Sequence, residues 1–331
     1  MEIVFFHRKK ISGAVSIEES FRPLISELAK TNDIKEYNVP CHGSSPTKIL
    51  KNIRFIKKHS TKSGINHISG DIHYGILGLI GKKSVLTIHD DYALSLARWG
   101  IIDKIYKWLL WVYLPVKIST AAVCITPATL KKMNSWYKSK KYILITHHTV
   151  PSIINDIHKK INKAYPRLLQ IGTEINKNLE TTMEVASRIP CKLVVMKPMT
   201  QAQIEMAKSL NLDFENKFDL PYDDVVEEYQ KCDIVVFPSL QEGLGMPIYE
   251  GQAAGKPVIT TNKEPMNWVA GEGAILLDNP RDVEEYFNAV VRIINDDEFR
   301  DELIKKGKEN AKRFSLGKAV ENYVNLYKSL I

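Results

Sequence analysis

The stretch 233–260, DIVVFPSLQEGLGMPIYEGQAAGKPVIT, reads as strand, glycine loop, helix and strand in immediate succession. Ile234, Val235, Val236 and Phe237 form an apolar run of strand length, and Pro238-Ser239 punctuates it before Gly243 and Gly245 open a loop. Pro247 suits the first helical position, because its fixed φ is already helical and its missing N–H would have no intrahelical partner there. The helical pattern runs through Ile248, Tyr249, Glu250, Gln252, Ala253 and Ala254 to Gly255, and residues 257–260 return as the next strand. A turn of this kind aims free backbone N–H groups at whatever lies above it, and phosphate is the natural guest.

Seven residues separate two carboxylates in this turn, Glu242 and Glu250. The pattern puts Glu242 in the loop and Glu250 in the first turn of the helix, on either side of the N–H groups of Gly243, Leu244, Gly245 and Met246. A carboxylate can accept two hydrogen bonds from a vicinal diol. A nucleotide-sugar carries a diol at each end, on the ribose and on the sugar, with a diphosphate between them, and the spacing fits such a ligand. Taken alone, two glutamates are more simply read as solvated acids, Glu250 gaining from the helix dipole. The glycines, the proline and the preceding buried strand turn the reading towards a ligand.

At 331 residues with 44% hydrophobic content, the chain has room for about two domains. Cys41, Cys124, Cys191 and Cys232 stand far apart, which argues against a zinc site or a disulfide framework and suits a reducing cytoplasm. The first residues enter a strand at once, so neither a signal peptide nor a membrane span is expected; a cytoplasmic protein, soluble or peripheral at the inner face of the membrane, is. The net charge of +8 is uneven, with 25 basic and 11 acidic residues in 1–160 against 21 and 27 in the remainder. The basic part suits an anionic partner, whether phospholipid head groups, a lipid-linked pyrophosphate or nucleic acid; a merely solubilising pattern is the alternative. No nucleic-acid-binding module is recognisable, so nucleic acid is not the expected partner.

Residues 1–160 alternate short apolar runs, at 3–6, 34–39, 65–68, 85–88, 123–126 and 142–145, with helical patterns, which predicts a parallel sheet with helices on both faces. The loop after the first run holds the single glycine Gly13, so it is no dinucleotide fingerprint. Gly70-Asp71-Ile72-His73-Tyr74 reads as a turn before an apolar helix at 75–80, with His73 either structural or close to a ligand. Ligands of open parallel sheets collect at the carboxyl ends of strands, so His89 and Asp90, which end the run 84–88, are placed to meet one; for His89 a packing role is the alternative. The segment 98–119, RWGIIDKIYKWLLWVYLPVKIS, suits either a membrane interface or a packed helix ended by Pro115. His147-His148 could bind metal, but adjacent side chains diverge and no third ligand is apparent. A polar linker within 152–166 precedes a second sheet beginning at 167–171. Asn178 is the predicted N-cap of a helix over 179–188, which sets Lys177 beside a helix N-terminus, a position that suits a cation for a leaving diphosphate. A loop and helix follow over 218–233, then a strand at 274–277 and an amphipathic helix at 283–294.

The stretch from Pro238 to Thr260 resembles, almost position by position, the retaining family-4 glycosyltransferases, whose mark is the Glu, seven residues, Glu arrangement. GDIHY at 70–74 and TIHD at 87–90 are similar to runs of the same family, and a weaker likeness covers nearly the whole chain. The resemblance implies an α/β GT-B architecture of two Rossmann-like doubly wound parallel-sheet domains facing across a cleft. An acceptor domain would span 1–160, a nucleotide-sugar donor domain 165–311, and a C-terminal helix over 312–331 would cross back to the first domain. It also implies Glu242 on the donor sugar, Glu250 on the ribose diol, Gly243, Leu244, Gly245 and Met246 on the diphosphate, Lys177 on the leaving group, His89 near the donor sugar, and Gly13, Asp90 and His73 along the acceptor cleft. The chain departs from the family at Thr173, where an Arg is expected, at Lys197, near a usual glycine, and at 146–151, THHTVP, where relatives have an Asn-Gly turn. Lys197 is a candidate for the missing charge. The expected reaction is transfer of a sugar, with retention, from a nucleotide-diphosphate sugar to a hydroxyl of a glycan or lipid-linked acceptor in surface-polysaccharide assembly, with no cofactor, no covalent nucleophile and no essential metal. A sugar-nucleotide epimerase and a non-catalytic assembly subunit are the alternatives.

Overall fold

The structure, a computed structural model, describes residues 1–9, 16–89, 100–146 and 160–331. The chain divides into two compact units, Met1–Thr149 with Leu316–Ile331, and Val150–Ser315. Each contains a six-stranded sheet whose neighbouring strands all run parallel.

In the first unit β1 (Glu2–His7), β2 (Asp33–Asn38), β3 (Ile65–Ile68), β4 (Ser84–Ile88), β5 (Ala121–Cys124) and β6 (Tyr142–Leu144) stand in the order β2-β1-β3-β4-β5-β6. Of the four interior strands β3, β4 and β5 are buried throughout, while the charged DIKEYN strand occupies an edge and faces water. Successive residues serve opposite faces of the sheet. Phe5, Ile65, Val85 and Val123 pack with the helices Ser16–Leu28 and Leu316–Leu330; Phe6, Ile68, Leu86 and Cys124 pack with the helix Pro46–His59 and the 3-10 helix His73–Leu79.

The second unit holds β7 (Arg167–Ile171), β8 (Lys192–Met196), β9 (Asp213–Lys217), β10 (Ile234–Phe237), β11 (Val258–Thr261) and β12 (Ile275–Leu277), in the order β12-β11-β10-β7-β8-β9. The chain adds β8 and β9 on one side of β7, then returns to add β10 to β12 on the other. The direction of winding therefore reverses between β7 and β10, where Gln170 registers with Val236. At such a reversal the loops leaving the two strands diverge to opposite faces and open a crevice at the carboxyl ends.

Several local expectations change. β5 stops at Cys124 because Thr126 caps the helix Pro127–Trp136, its hydroxyl accepting the Thr129 N–H at 3.0 Å. The helix expected at 75–80 is the 3-10 helix His73–Leu79. Pro115 does not end the segment before it: helix Ile101–Trp108 continues through a π-helical turn, Leu109–Tyr113, into Leu114–Ile118. Proline cannot donate to the Trp111 carbonyl four residues back, and His73 Nδ1–H takes that carbonyl instead at 2.8 Å. Helices Gln201–Ser209 and Asp297–Ala311 escaped the sequence reading, although the first opens on a full Thr200/Gln203 capping box. Among the described residues no helix is long and apolar enough to cross a membrane.

Candidate functional site

The loops after β7 and β10 are laced together. Leu240 N–H donates to the Asn176 carbonyl at 2.7 Å, and Asn176 Nδ2 donates to the Gln241 carbonyl at 2.9 Å. Across this seam Lys177, which ends the 3-10 turn Ile175–Lys177, donates from Nζ to Glu242 Oε1 at 2.6 Å. Its ammonium also lies 4.9 Å from the centre of the Phe237 ring, and the Ser239 hydroxyl donates to the same Glu242 oxygen at 2.5 Å. Gly172, at φ 101°, clears the way for the lysine stem: a Cβ there would stand 2.6 Å from Lys177 Cγ. Gln170 Nε2 holds the Lys177 carbonyl at 3.2 Å. Lysine and glutamate are both largely shielded, with side chains 20% and 13% exposed, so this pair is screened less than a surface ion pair. Glu242 Oε2 has no partner among the described residues.

The helix Met246–Ala253 starts from Gly245 in the left-handed region, with Pro247 in its first turn. The N–H groups of Gly243, Leu244 and Gly245 have no hydrogen-bond partner among the described residues. Glu250 lies one turn into the helix rather than in its first turn, and it is buried. Its Oε2 accepts the Tyr229 hydroxyl at 2.6 Å. Burial pushes its carboxyl up to about 7, with the Tyr229 bond pulling the other way. The view of Glu250 as a solvated acid at a dipole end therefore fails. Each glutamate presents the same arrangement, one oxygen anchored by protein and the other without a partner.

Thr173 turns its hydroxyl to the Pro198 carbonyl at 2.7 Å and its own carbonyl to Gln203 Nε2 at 2.8 Å. Lys197 keeps a backbone φ of 101°, a glycine-like conformation with a lysine in it, and its side chain is exposed. Asn178 occupies the N-cap position but does not cap: Nδ2 donates to the Pro280 carbonyl at 2.7 Å and Oδ1 accepts from the Thr181 hydroxyl at 2.9 Å. In the first unit His89 is buried, and Nε2–H donates to the Ser69 carbonyl at 2.7 Å. His73 serves the Trp111 carbonyl as described. Gly13, Asp90, His147 and His148 lie outside the described residues. Among those described, no three His, Cys, Asp or Glu side chains gather to hold a metal. Sequence reasoning missed Tyr229, Ser239 and Gln170. Only Ser239, three residues before Glu242 in a punctuated loop, offered a local signal.

An uncharacterized glycosyltransferase of Methanocaldococcus jannaschii is 36% identical over 119 residues, 33% of this chain and 31% of its own length. O-antigen chain mannosyltransferase B of Escherichia coli is 31% identical over 111 residues, 34% of this chain and 29% of its own. The chain thus matches under a third of those relatives' lengths. Among solved structures, sucrose-phosphate synthase of Thermosynechococcus elongatus matches 100% of this chain and 99% of its own at TM-score 0.78 and 15% identity. HepE of Anabaena in complex with UDP-glucose matches 99% of this chain and 100% of its own at TM-score 0.77 and 11% identity. Those likenesses give the fold, the α/β two-domain GT-B architecture. Residues 154–310, which contain the seam between Lys177 and Glu242, match the family model of glycosyl transferases group 1.

Proposed function

We propose that this chain is a retaining glycosyltransferase that moves a sugar from a nucleotide-diphosphate sugar to an acceptor hydroxyl in surface-polysaccharide or lipid-linked glycan assembly. The observation that carries the proposal is the Lys177–Glu242 pair at the winding reversal, beside the three unpartnered N–H groups of the Gly243 loop. In this reading Glu242 takes donor-sugar hydroxyls on Oε2, Glu250 takes the ribose diol, and the loop amides take the diphosphate. As the donor bond breaks, negative charge grows on the diphosphate; the amides are fixed dipoles aimed at it, and Lys177 has further N–H donors to turn towards it. Lys177 supplies the positive charge, so no metal is required, and Thr173, whose hydroxyl is already spent on Pro198, adds none. HepE, with its bound UDP-glucose, and the O-antigen mannosyltransferase support the donor and glycan classes by likeness.

Steady-state kinetics on three variants tests the site, after thermal-shift screening of nucleotide-sugars finds a donor that stabilises the fold. Glu250→Ala is expected to raise the donor KM more than it lowers kcat, while Lys177→Ala and Glu242→Ala lower kcat by about a hundredfold or more, the loss typical of removing a group that stabilises transition-state charge. Unchanged rates in all three variants would remove the assignment, and a changed free sugar made without acceptor would favour the epimerase. We further propose peripheral contact of the first unit with anionic membrane, supported by the basic excess of 1–160 and by the exposed Ile101, Ile102 and Ile105.

A further inference from the structure

Glu250 reaches the site from a helix, yet the group that fixes its carboxylate comes from a different element. Tyr229 lies in the helix Tyr222–Lys231, is 1% exposed, and donates its phenol to Glu250 Oε2 at 2.6 Å. The helix that carries it is itself fastened. Glu228, the preceding residue, accepts from Arg167 Nη2 at 2.8 Å and Lys217 Nζ at 2.6 Å, and Cys232 Sγ donates to the Tyr229 carbonyl at 3.2 Å. Glu250 Oε1 has no hydrogen-bond partner among the described residues.

We propose that Tyr229 is a positioning residue of this site, its phenol holding the Glu250 carboxylate in one rotamer so that Oε1 is presented to a vicinal diol. The proposal rests on the donor-site reading above and names the group that makes the ribose contact selective. A protonated carboxyl accepts poorly, so diol binding strengthens as Glu250 ionises, and the phenol, by donating to the ionised form, extends that range downward. Among the described residues only burial and the Tyr229 bond move Glu250. Cys232 and Tyr249 lie beside the phenol, Glu228 is committed to Arg167 and Lys217, Lys256 donates to the Gln230 carbonyl, and Asn310 of the helix Asp297–Ala311 reaches Gln252 rather than Glu250.

The test is calorimetric binding of UDP-glucose and GDP-mannose between pH 6 and 8.5, a range in which their diphosphate diesters keep constant charge. Wild-type affinity is expected to rise with pH. Tyr229→Phe should weaken binding roughly tenfold at neutral pH, shift the rise about one unit upward, and stay about threefold weaker than wild type at the alkaline end, where the carboxylate is ionised but no longer held in one rotamer. Glu250→Gln should bind weakly and independently of pH, and adding Tyr229→Phe to it should cost little more. A Tyr229→Phe profile parallel to wild type at every pH would reduce Tyr229 to packing and overturn the proposal. Should that variant fail to fold, 3-fluorotyrosine at position 229 keeps the ring and strengthens the phenol as a donor, and an affinity and profile unchanged by it would overturn the proposal equally. Absence of binding by either nucleotide-sugar at any pH would instead bring down the donor-site reading itself.

Discussion

Two buried titratable side chains, one in each unit, bend stability with pH in opposite directions. His67 has no exposure; its ring nitrogens meet the Tyr327 hydroxyl at 2.6 Å and the Thr87 hydroxyl at 2.8 Å, and burial first, then His7 and His89, hold its pKa down at about 3. The unfolded chain therefore binds the proton that the folded one refuses between the unfolded value near 6.5 and the folded value near 3. Stability of the first unit falls as pH drops through that window, by at most about 1.4 kcal/mol per pH unit. Glu250 acts with the reverse sign: its folded pKa is raised from 4.5 to about 7, so its contribution is present below 4.5 and lost as pH rises through 7. Urea melts at pH 5 and pH 7 should show His67→Gln losing the acid sensitivity of its unit and Glu250→Gln gaining relative stability at pH 7. Parallel pH profiles for wild type and both variants would mean that neither group is buried as its contacts imply.

At the scale of elements, the helical segment from Ile101 to Ile118 is held by a side chain from elsewhere. The π-helical turn leaves the Trp111 carbonyl facing His73, Trp111 Nε1 in turn donates to the Asp71 carbonyl at 3.0 Å, and the Tyr74 and Trp111 rings meet edge-on at 5.1 Å. His73→Leu should destabilise the first unit by about 1–3 kcal/mol, the cost of leaving a buried carbonyl unpaired, and should leave the donor affinity of the second unit unchanged. A variant that melts like wild type would deny His73 this structural role. The same segment marks what sequence could disclose. Central strands such as IVVF and SVLTI were legible because strands buried on both faces need unbroken apolar runs. The edge strand DFENK was not, since its fit comes from Glu215 meeting Arg167 and Lys192, partners whose proximity only the sheet order creates. For the site, the Glu242 and Glu250 spacing was legible as local sequence. The Lys177–Glu242 bond spans 65 residues, and Tyr229 looks like any core tyrosine until the fold sets it against Glu250.

At the scale of the whole molecule, charge and apolar exposure concentrate in the same unit. The final helix, Leu316–Leu330, belongs to the first unit, where Tyr323 and Tyr327 close the network around Thr87 and His67, so both ends of the chain serve one core. On another face of that unit Ile101, Ile102 and Ile105 stand 72%, 79% and 58% exposed. Close by in sequence are Lys104, whose ammonium stacks on Trp136, and Lys117, which donates to the Tyr113 hydroxyl; Lys107 is already neutralised by Asp103. Each basic residue near an anionic surface contributes about 1 kcal/mol, and a partly inserted isoleucine a comparable amount, so a few of each suffice for reversible attachment but not for anchoring. Co-sedimentation with phosphatidylglycerol vesicles should therefore capture the protein at low salt and release most of it near 0.5 M salt, where the Debye length falls to about 4 Å. The triple variant Ile101→Ser, Ile102→Ser, Ile105→Ser should lose the residual salt-resistant part while melting as wild type does, because those side chains bury little in the fold. Equal recovery with neutral phosphatidylcholine vesicles would leave the basic excess a solubilising charge, and loss with charge variants alone would confine the contact to electrostatics.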